Sequence, residues 1–240
     1  MSEAIGAGAR VAYFGGSFDP PHLGHLAVAR AARAALRLDA VLFAPVGMQP
    51  LKTQGSTASF ADRVAMTRLA VAGEPGMSVS LADAPLAAGA PNYSMDTLAR
   101  VRAELPASCS LFFLMGADSF FSLRRWHRAA EIPFVAPLIV ASRPGQRLDD
   151  LRAALPAGLT MEPAENPEEN VAGIEVRCFT IVNAAGNRAP FYLLPDLDVE
   201  ISASEIRAQI RAAGVGGPEE RKLLPDRVAE YVRTQGLYRE

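Results

Sequence analysis

The sequence predicts an α/β fold in which a doubly wound parallel sheet carries helices on both faces and ends in a C-terminal helical segment. Short apolar, β-prone runs such as Val11–Phe14 and Val41–Ala44 alternate with longer amphipathic stretches. The first run ends at Gly15-Gly16, and a stretch rich in Ala, Leu and Arg follows from about Leu23 to Leu38. This alternation is typical of βαβ crossovers, which build parallel sheets buried on both faces.

The remaining elements continue the alternation. Residues 46–58 form a polar loop rich in Gly, Pro, Ser and Thr, and a loop this long in a compact domain is usually functional. Ser59 then caps a helix, with Asp62 three residues on. Further strands are expected at 77–81, 110–115, 134–141, 174–182 and 191–194. Further helices are expected at 94–105, 118–122, 149–154, 202–213 and 226–235.

The composition is that of a globular chain. Of the 240 residues, 50% are apolar and 21% are charged, which excludes a disordered polypeptide. The 24 basic residues are balanced by 26 acidic ones, whereas a general nucleic-acid binder usually carries a basic excess. We expect one domain over residues 1–240, with small-molecule rather than nucleic-acid partners and an oligomeric state that the sequence leaves open.

The cysteines and the apolar runs indicate a compartment. Cys109 and Cys178 lie far apart in apolar segments, which favours buried thiols in a reducing compartment over a disulfide or a metal site. The first ten residues lack the apolar stretch of a signal peptide, and apolar runs such as Leu111–Met115 are too short to span a bilayer. We therefore expect a cytoplasmic protein with no membrane partner.

A candidate phosphate site lies at Gly15–His25, directly after the first strand. Paired glycines let backbone amides approach a ligand closely, and Asp19-Pro20-Pro21 forces a turn. A helix starting near His22 directs its free N–H groups and positive dipole end at the loop. His22 and His25 share a helix face, with Gly24 between them, so both imidazoles can donate to phosphate oxygens. The pattern predicts a clamp for a polyphosphate.

Other interpretations of this segment are less favoured. Gly-x-Gly-x-x-Gly does not follow the strand, and Gly-x-x-x-x-Gly-Lys-Ser/Thr does not occur in the chain. A zinc site would require a third ligand nearby. The structural alternative is a turn with two incidental histidines, but two of the three histidines in the chain fall at this one junction.

A second candidate site lies at Ile201–Arg207, where another helix begins. Ser202 and Glu205 match a capping box, which is a structural device. Ser204 and Arg207 lie one turn apart near the helix start, where arginine offers a forked donor to phosphate oxygens. By itself the segment is better explained as a cap with a solvated arginine. Combined with the first segment, it predicts a second set of contacts to the same polyphosphate.

Together the two segments resemble the His-x-Gly-His and Ser/Thr-x-x-x-Arg-type signatures of the nucleotidyltransferase superfamily. Further segments are similar in order and spacing to those of bacterial nicotinate-nucleotide adenylyltransferases. They are Pro91–Ser94, Gly116–Ser119, Trp126-His127, Ser142–Gly145, Leu223–Asp226 and Gln235–Arg239. The resemblance covers most of residues 10–240 and implies a Rossmann-like nucleotidyltransferase fold.

The resemblance implies that ATP and nicotinate mononucleotide react to give deamido-NAD and pyrophosphate, with Mg²⁺ held mainly by the ATP phosphates. It implies catalytic roles for His22, His25 and Arg207, and histidine suits such a role because it can carry charge near neutral pH. It implies that Ser94 and Trp126 face the nicotinate and that Asp118 accepts from the ATP ribose hydroxyls. The ATP-binding residues that it implies are Gly15, Gly16, Ser17, Phe18, Gly24, Lys52, Asp118, Ser202 and Ser204.

Several interpretations stay open. The loop reads Gln49–Lys52, with leucine where the family often has a histidine before the lysine. Asp118 is also explained as a helix cap, and Trp126 as a packing residue. The 157–190 region is longer and more acidic than the resemblance leads us to expect, and no task is assigned to it. Alternative functions are adenylyl transfer to another phosphate acceptor such as phosphopantetheine, or nucleotide sensing without turnover.

Overall fold

Eight strands lie in the parts of the chain that the computed structural model describes, which are residues 5–51, 55–142, 147–165, 172–195, 197, 201–213 and 223–239. They are β1 (Arg10–Gly16), β2 (Ala40–Pro45), β3 (Met77–Val79), β4 (Ser110–Gly116), β5 (Leu138–Ala141), β6 (Leu159–Pro163), β7 (Arg177–Asn183) and β8 (Arg188–Leu194). The α-helices of the same ranges are α1 (Leu23–Ala35), α2 (Phe60–Val71), α3 (Ser94–Glu104), α4 (Ala117–Ser122), α5 (Ile132–Val135), α6 (Leu148–Ala153), α7 (Ala203–Ala213) and α8 (Asp226–Gln235).

The strands form one sheet in the order β3-β2-β1-β4-β5-β8-β7-β6. The first six strands of this order pair in parallel, which confirms the predicted architecture for that part of the sheet. β7 and β6 add an antiparallel edge, so the sheet is mixed and not wholly parallel as predicted.

The antiparallel edge has a local cause in the turn between β7 and β8. The Asn183 side-chain oxygen accepts hydrogen bonds from the N–H groups of Ala185 and Asn187, at 3.0 and 2.9 Å. A connection this short cannot contain a crossover helix, so the two strands must run in opposite directions. β6 was not predicted from the sequence, because Leu159 is its one buried residue and the strand therefore shows no alternation of apolar and polar side chains.

Several predicted elements have different bounds in the structure, and two of these differences have a local cause. The first helix ends at Ala35 and not at Leu38, because Arg37 adopts a left-handed backbone with φ of 48° and turns the chain into β2. Residues 134 and 135 of the predicted strand 134–141 belong to α5 instead, a helix whose first turn contains Pro133. Proline is well placed in the first turn of a helix, and β5 therefore begins only at Leu138.

β1 lies at the centre of the sheet, between β2 and β4. Val11, Ala12, Tyr13 and Phe14 are all buried, and they contribute alternately to two apolar clusters on opposite faces of the sheet. The chain winds outward from β1 in one direction through β2 and β3, and in the other direction through β4 and β5. Such a reversal opens a crevice at the carboxyl ends of the strands, here those of β1 and β4.

A third apolar cluster joins the C-terminal helices to α2. Met66 of α2, Ile206 and Ile210 of α7, and Val228 and Val232 of α8 are each at most 1% exposed within it. Ser59 caps α2 as predicted, since its side-chain oxygen accepts the N–H of Asp62 at 3.1 Å. The cluster holds α7 beside the crevice. Among the described helices, none is both long and apolar enough to cross a bilayer.

Candidate active site

A cavity of about 620 Å³ lies beyond the carboxyl ends of β1 and β4. Its walls come from segments that are distant in sequence, among them the turn after β1, the loop after β2, the starts of α3 and α4, the Trp126 region and the start of α7. Every site residue named from the sequence lines this cavity except Lys52, which lies outside the described residues. Leu51, the residue before it, also lines the cavity and is exposed.

The two histidines stack at the beginning of α1. His22 is the residue before the first helical turn and is 6% exposed, while His25 is half-buried because it faces the cavity. Their ring centroids are 3.7 Å apart with an interplanar angle of 29°. Gly24 lies between them and is buried, so the backbone at this turn carries no side chain toward the cavity.

A backbone hydrogen bond determines the tautomer of His25. The N–H of His22 donates to Nδ1 of His25 at 3.2 Å, so Nδ1 acts as an acceptor and the ring proton lies on Nε2. Phe14 and Phe18 pack against the same ring, with centroids 6.0 and 4.9 Å away. This burial, and secondarily the adjacent His22, lowers the pKa of His25 well below its ordinary value. His25 is therefore a neutral donor at neutral pH, in contrast to the charged role expected from the sequence.

The start of α1 offers fewer free donors than the sequence analysis assumed. The N–H of Leu23, the first residue of the helix, donates to the carbonyl of Leu223 at 2.9 Å, and the N–H of His25 donates to the carbonyl of His22 at 2.9 Å. These donors are already used within the protein. The glycine turn and the imidazoles must then provide more of any anion binding than the helix terminus does.

The start of α7 meets the turn after β1. Nη1 of Arg207 donates to the main-chain carbonyl of Asp19 at 2.6 Å, although the two residues are 188 positions apart. Ser202 lies where a helix-capping residue is expected, since its carbonyl accepts the N–H of Ile206 at 3.0 Å. Ser204 is exposed beside the cavity. The two helix starts singled out from the sequence thus lie at one cavity.

The opposite wall carries the residues that the resemblance connects with the acceptor. Ser94 is the first residue of α3. Trp126 is half-buried, donates its indole N–H to the Ser122 hydroxyl at 2.9 Å, and packs against Phe113 with ring centroids 6.2 Å apart. Trp126 therefore packs on one side while its remaining surface lines the cavity.

Asp118 and Tyr93 lie at the starts of α4 and α3. Asp118, for which capping was the alternative interpretation, is exposed in the first turn of α4, and Gly116 occupies the capping position in its place. Tyr93, the residue before α3, packs against His127, with ring centroids 4.5 Å apart. Both of these rings also line the cavity.

A layer of buried polar side chains, which was not predicted from the sequence, lies beneath the cavity. The Asp83 carboxylate is 4% exposed and accepts the Thr97 hydroxyl at 2.6 Å, and burial raises the pKa of Asp83. Asn92 accepts the N–H of Met48 and donates to the carbonyl of Ala84, at 2.9 Å each. These bonds join the loop after β2 to the start of α3. The signal available in the sequence was polar residues within otherwise apolar or turn-like segments.

Asp19 also has a role that its local sequence does not reveal. The sequence predicts only a turn before Pro20 and Pro21, yet the Asp19 side chain is 4% exposed and lies under the turn. Asp19 is also among the residues that line the cavity. Nothing local distinguishes a turn-forming aspartate from one that is buried by distant segments.

Comparison with known proteins places this geometry in a family. The cytidylyltransferase-like family model matches residues 13–209. A relative in Gloeobacter violaceus, named "Probable nicotinate-nucleotide adenylyltransferase", is 37% identical over 231 residues, covering 96% of this chain and 97% of its own. A relative of the same name in Stenotrophomonas maltophilia is 39% identical over 232 residues, with coverage of 95% and 96%.

Solved structures share the fold. The Plasmodium falciparum nicotinic acid mononucleotide adenylyltransferase complexed with NaAD superimposes with a TM-score of 0.66, covering 96% of this chain and 97% of that chain at 15% identity. At that identity the likeness concerns the fold alone, and the full-length sequence relatives provide the evidence for the family. The chain belongs to the cytidylyltransferase-like family and, within it, to the bacterial nicotinate-nucleotide adenylyltransferases.

Proposed function

We propose that this protein transfers the adenylyl group of ATP to nicotinate mononucleotide, giving deamido-NAD and pyrophosphate in NAD biosynthesis. The observation that carries the proposal is the bond between Arg207 and Asp19, which brings two separate helix starts to one cavity. The relatives with the same full-length sequence pattern bear the name of this activity. A cavity of this volume suits a nucleotide-sized ligand.

The chemistry needs alignment and charge stabilisation more than proton transfer. An oxygen of the acceptor's phosphate attacks the α-phosphorus of ATP, a new P–O bond forms, and the bond to the bridging oxygen of the β-phosphate breaks to release pyrophosphate. The attacking phosphate is already ionised near neutral pH, so no general base is required. Both reactants are anions, and the protein must therefore reduce their repulsion and hold them in line.

The phosphate side of the site follows from the donors at the turn. His25 donates from Nε2, and His22 lies beside it, at the place where charge grows on the α-phosphoryl oxygens. Arg207 donates to the leaving β- and γ-phosphates from the N–H groups that are not bonded to the Asp19 carbonyl. The backbone of Gly15–Phe18, together with Ser202 and Ser204, completes the ATP contacts, with Lys52 as a further cation.

We propose that Mg²⁺ enters the site bound to ATP. It supplies charge neutralisation between the phosphates, and its ligands are mainly phosphate oxygens and water, the usual arrangement at nucleotide sites. The described residues contain no group of three or more His, Cys, Asp or Glu side chains that could hold a metal by themselves. A metal that arrives with the nucleotide needs no such group in the protein.

The acceptor side is proposed at the other wall. The hydroxyl of Ser94, at the start of α3, donates to the nicotinate carboxylate, and the free surface of Trp126 contacts the pyridine ring. Asp118, exposed at the start of α4, accepts from the ATP ribose hydroxyls. The intervening loop, including Leu51, lies at the same cavity.

The proposal is tested by product formation from defined substrates. The protein is mixed with ATP, Mg²⁺ and nicotinate mononucleotide, and pyrophosphate and deamido-NAD are measured, with nicotinamide mononucleotide and phosphopantetheine as parallel acceptors. We expect product from nicotinate mononucleotide and loss of turnover on chelation with EDTA. Turnover with phosphopantetheine alone would assign another acceptor. ATP binding by calorimetry without any product would indicate a sensor.

A further inference from the structure

The carboxylate of Asp19 connects its own turn to two distant segments of the chain. Its two oxygens accept the N–H of Thr57 at 2.6 Å, the N–H of Ala58 at 3.1 Å and the hydroxyl of Tyr238 at 2.7 Å. The Tyr238 bond joins residues 219 positions apart. Hydrogen bonds of this number and kind compensate a buried carboxylate for the water it has lost.

The main chain of the same turn is held by two arginines. Arg63 of α2 is 2% exposed and donates from Nη1 to the carbonyl of Ser17 at 2.7 Å. Arg207 of α7 donates to the carbonyl of Asp19 at 2.6 Å. The position of the phosphate-facing turn, and the orientation of Arg207 itself, therefore depend on where Asp19 lies.

Tyr238 is placed at Asp19 by an uncommon backbone conformation. Its φ of 65° lies in the left-handed region, which a bulky residue rarely adopts unless its surroundings enforce it. The ring is 5% exposed in the cluster formed by α2, α7 and α8. Burial, and secondarily the charge of Asp19, raises the pKa of Tyr238 well above its ordinary value, so the hydroxyl remains a donor at all working pH values.

We propose that Tyr238 is a positioning residue for the active site, whose hydroxyl acts through Asp19 to hold the Gly15–His22 turn and Arg207 in register for the phosphates of ATP. The inference rests on the proposed function. Tyr238 lines no part of the cavity and touches no substrate position, so its effect must pass through Asp19. It concerns the ATP phosphates, because the residues assigned to the nicotinate, Ser94 and Trp126, lie on the opposite wall.

The test compares two tyrosines that connect the C-terminal segment to other parts of the molecule. Tyr238→Phe removes the hydroxyl from Asp19 and keeps the ring. Tyr231→Phe is the matched control, since its hydroxyl bonds Asp62 of α2 at 2.9 Å, away from the turn. We expect Tyr238→Phe to lower kcat/KM for ATP about tenfold, as for loss of one hydrogen bond to a charged group, with KM for nicotinate mononucleotide unchanged. Tyr231→Phe should leave both parameters as in wild type.

A second variant identifies the route of the effect. Asp19→Asn keeps the size of the side chain and removes its charge. If Tyr238 acts through Asp19, kcat/KM for ATP in the double variant should be no lower than in the more impaired of the two single variants. Independent effects would multiply instead. Multiplied losses would overturn the proposed route.

The outcomes separate the two proposals. A wild-type protein that releases no pyrophosphate overturns the proposed function itself. An active wild type with Tyr238→Phe equal to Tyr231→Phe overturns only the positioning role. A lower fraction of active enzyme with both KM values unchanged, measured by active-site titration and circular dichroism, would mean that Tyr238 is purely structural and would also overturn it.

Discussion

Packing and one hydrogen bond fix the tautomer and the orientation of the His25 imidazole. The N–H of His22 occupies Nδ1, which leaves Nε2–H as the donor, and Phe14 and Phe18 hold the ring in place. A donor that is already oriented needs no reorganisation when charge develops on the α-phosphoryl oxygens, and this is the basis of electrostatic catalysis. The neutral state at neutral pH follows from the same burial.

Removing this donor should reduce turnover. For His25→Ala we expect kcat to fall about 100-fold or more, the usual loss for one donor to a developing oxyanion. Steady-state release of pyrophosphate measures the effect, and circular dichroism confirms that the variant is folded. Turnover close to that of wild type would exclude His25 from the mechanism.

The lowered pKa of His25 also predicts how stability changes with pH. The unfolded chain binds a proton at this position below about pH 6.5, whereas the folded chain binds it only at lower pH. Protonation therefore favours unfolding, and stability is lost as pH falls below about 6.5 toward the lowered pKa of the folded state. The Tm of wild type should fall more steeply between about pH 7 and 5.5 than that of His25→Gln, which cannot be protonated. Parallel curves would contradict the prediction.

Among the elements, α7 has two faces with separate tasks. Ile206 and Ile210 are each 1% exposed and anchor the helix in the cluster with α2 and α8. Arg207, adjacent to Ile206, points instead to the turn after β1. The apolar face fixes the helix in this cluster, while the bond from Arg207 to the Asp19 carbonyl orients the cation near the helix start.

Replacing the forked donor should separate charge from geometry. A lysine at position 207 keeps the charge but has a single nitrogen, which cannot serve both Asp19 and a phosphate in the geometry of arginine. We expect Arg207→Lys to lower kcat/KM for ATP about tenfold or more. Arg211→Lys, at an exposed position of the same helix, is the control and should behave as wild type. Equal behaviour of the two variants would exclude a bidentate role for Arg207.

At the scale of the whole molecule, the strand order divides the cavity into two halves. β1 and the helix that follows it supply the turn and the histidines, while β4 leads into α4 and the Trp126 region. The crevice between β1 and β4 arises because the chain winds away from β1 in both directions. The ATP phosphates can thus be held on the β1 side, while the nicotinate and the ATP ribose are placed on the β4 side.

This assignment predicts that a substitution at a nicotinate-facing residue affects binding of that substrate alone. Ser94→Ala should raise KM for nicotinate mononucleotide about tenfold, because a hydrogen bond to a carboxylate is lost, while KM for ATP stays unchanged. Ser110→Ala is a control at the opposite end of β4 from the cavity and should leave both KM values unchanged. A parallel rise in KM for ATP in Ser94→Ala would contradict the assignment of Ser94 to the acceptor wall.

Features that depend on neighbouring residues could be predicted from the chain. The first strand, its glycine turn, the start of α1 at His22 and the cap of α2 by Ser59 are all where the patterns predicted them. Hydrogen bonds within a turn, the period of side chains and the preferences of glycine and proline act over a few residues, so they can be recognised in the chain.

Contacts between distant groups could not be predicted and are seen in the fold alone. Arg207 and Tyr238 reach Asp19 across 188 and 219 positions, and Asp83 and Asn92 are buried by segments that the sequence separates. The same is true of the charge on His25, which depends on the aromatic rings packed around it. Such contacts depend on how helices and strands pack in three dimensions, and a one-dimensional pattern does not contain the distances that set a hydrogen bond or a pKa.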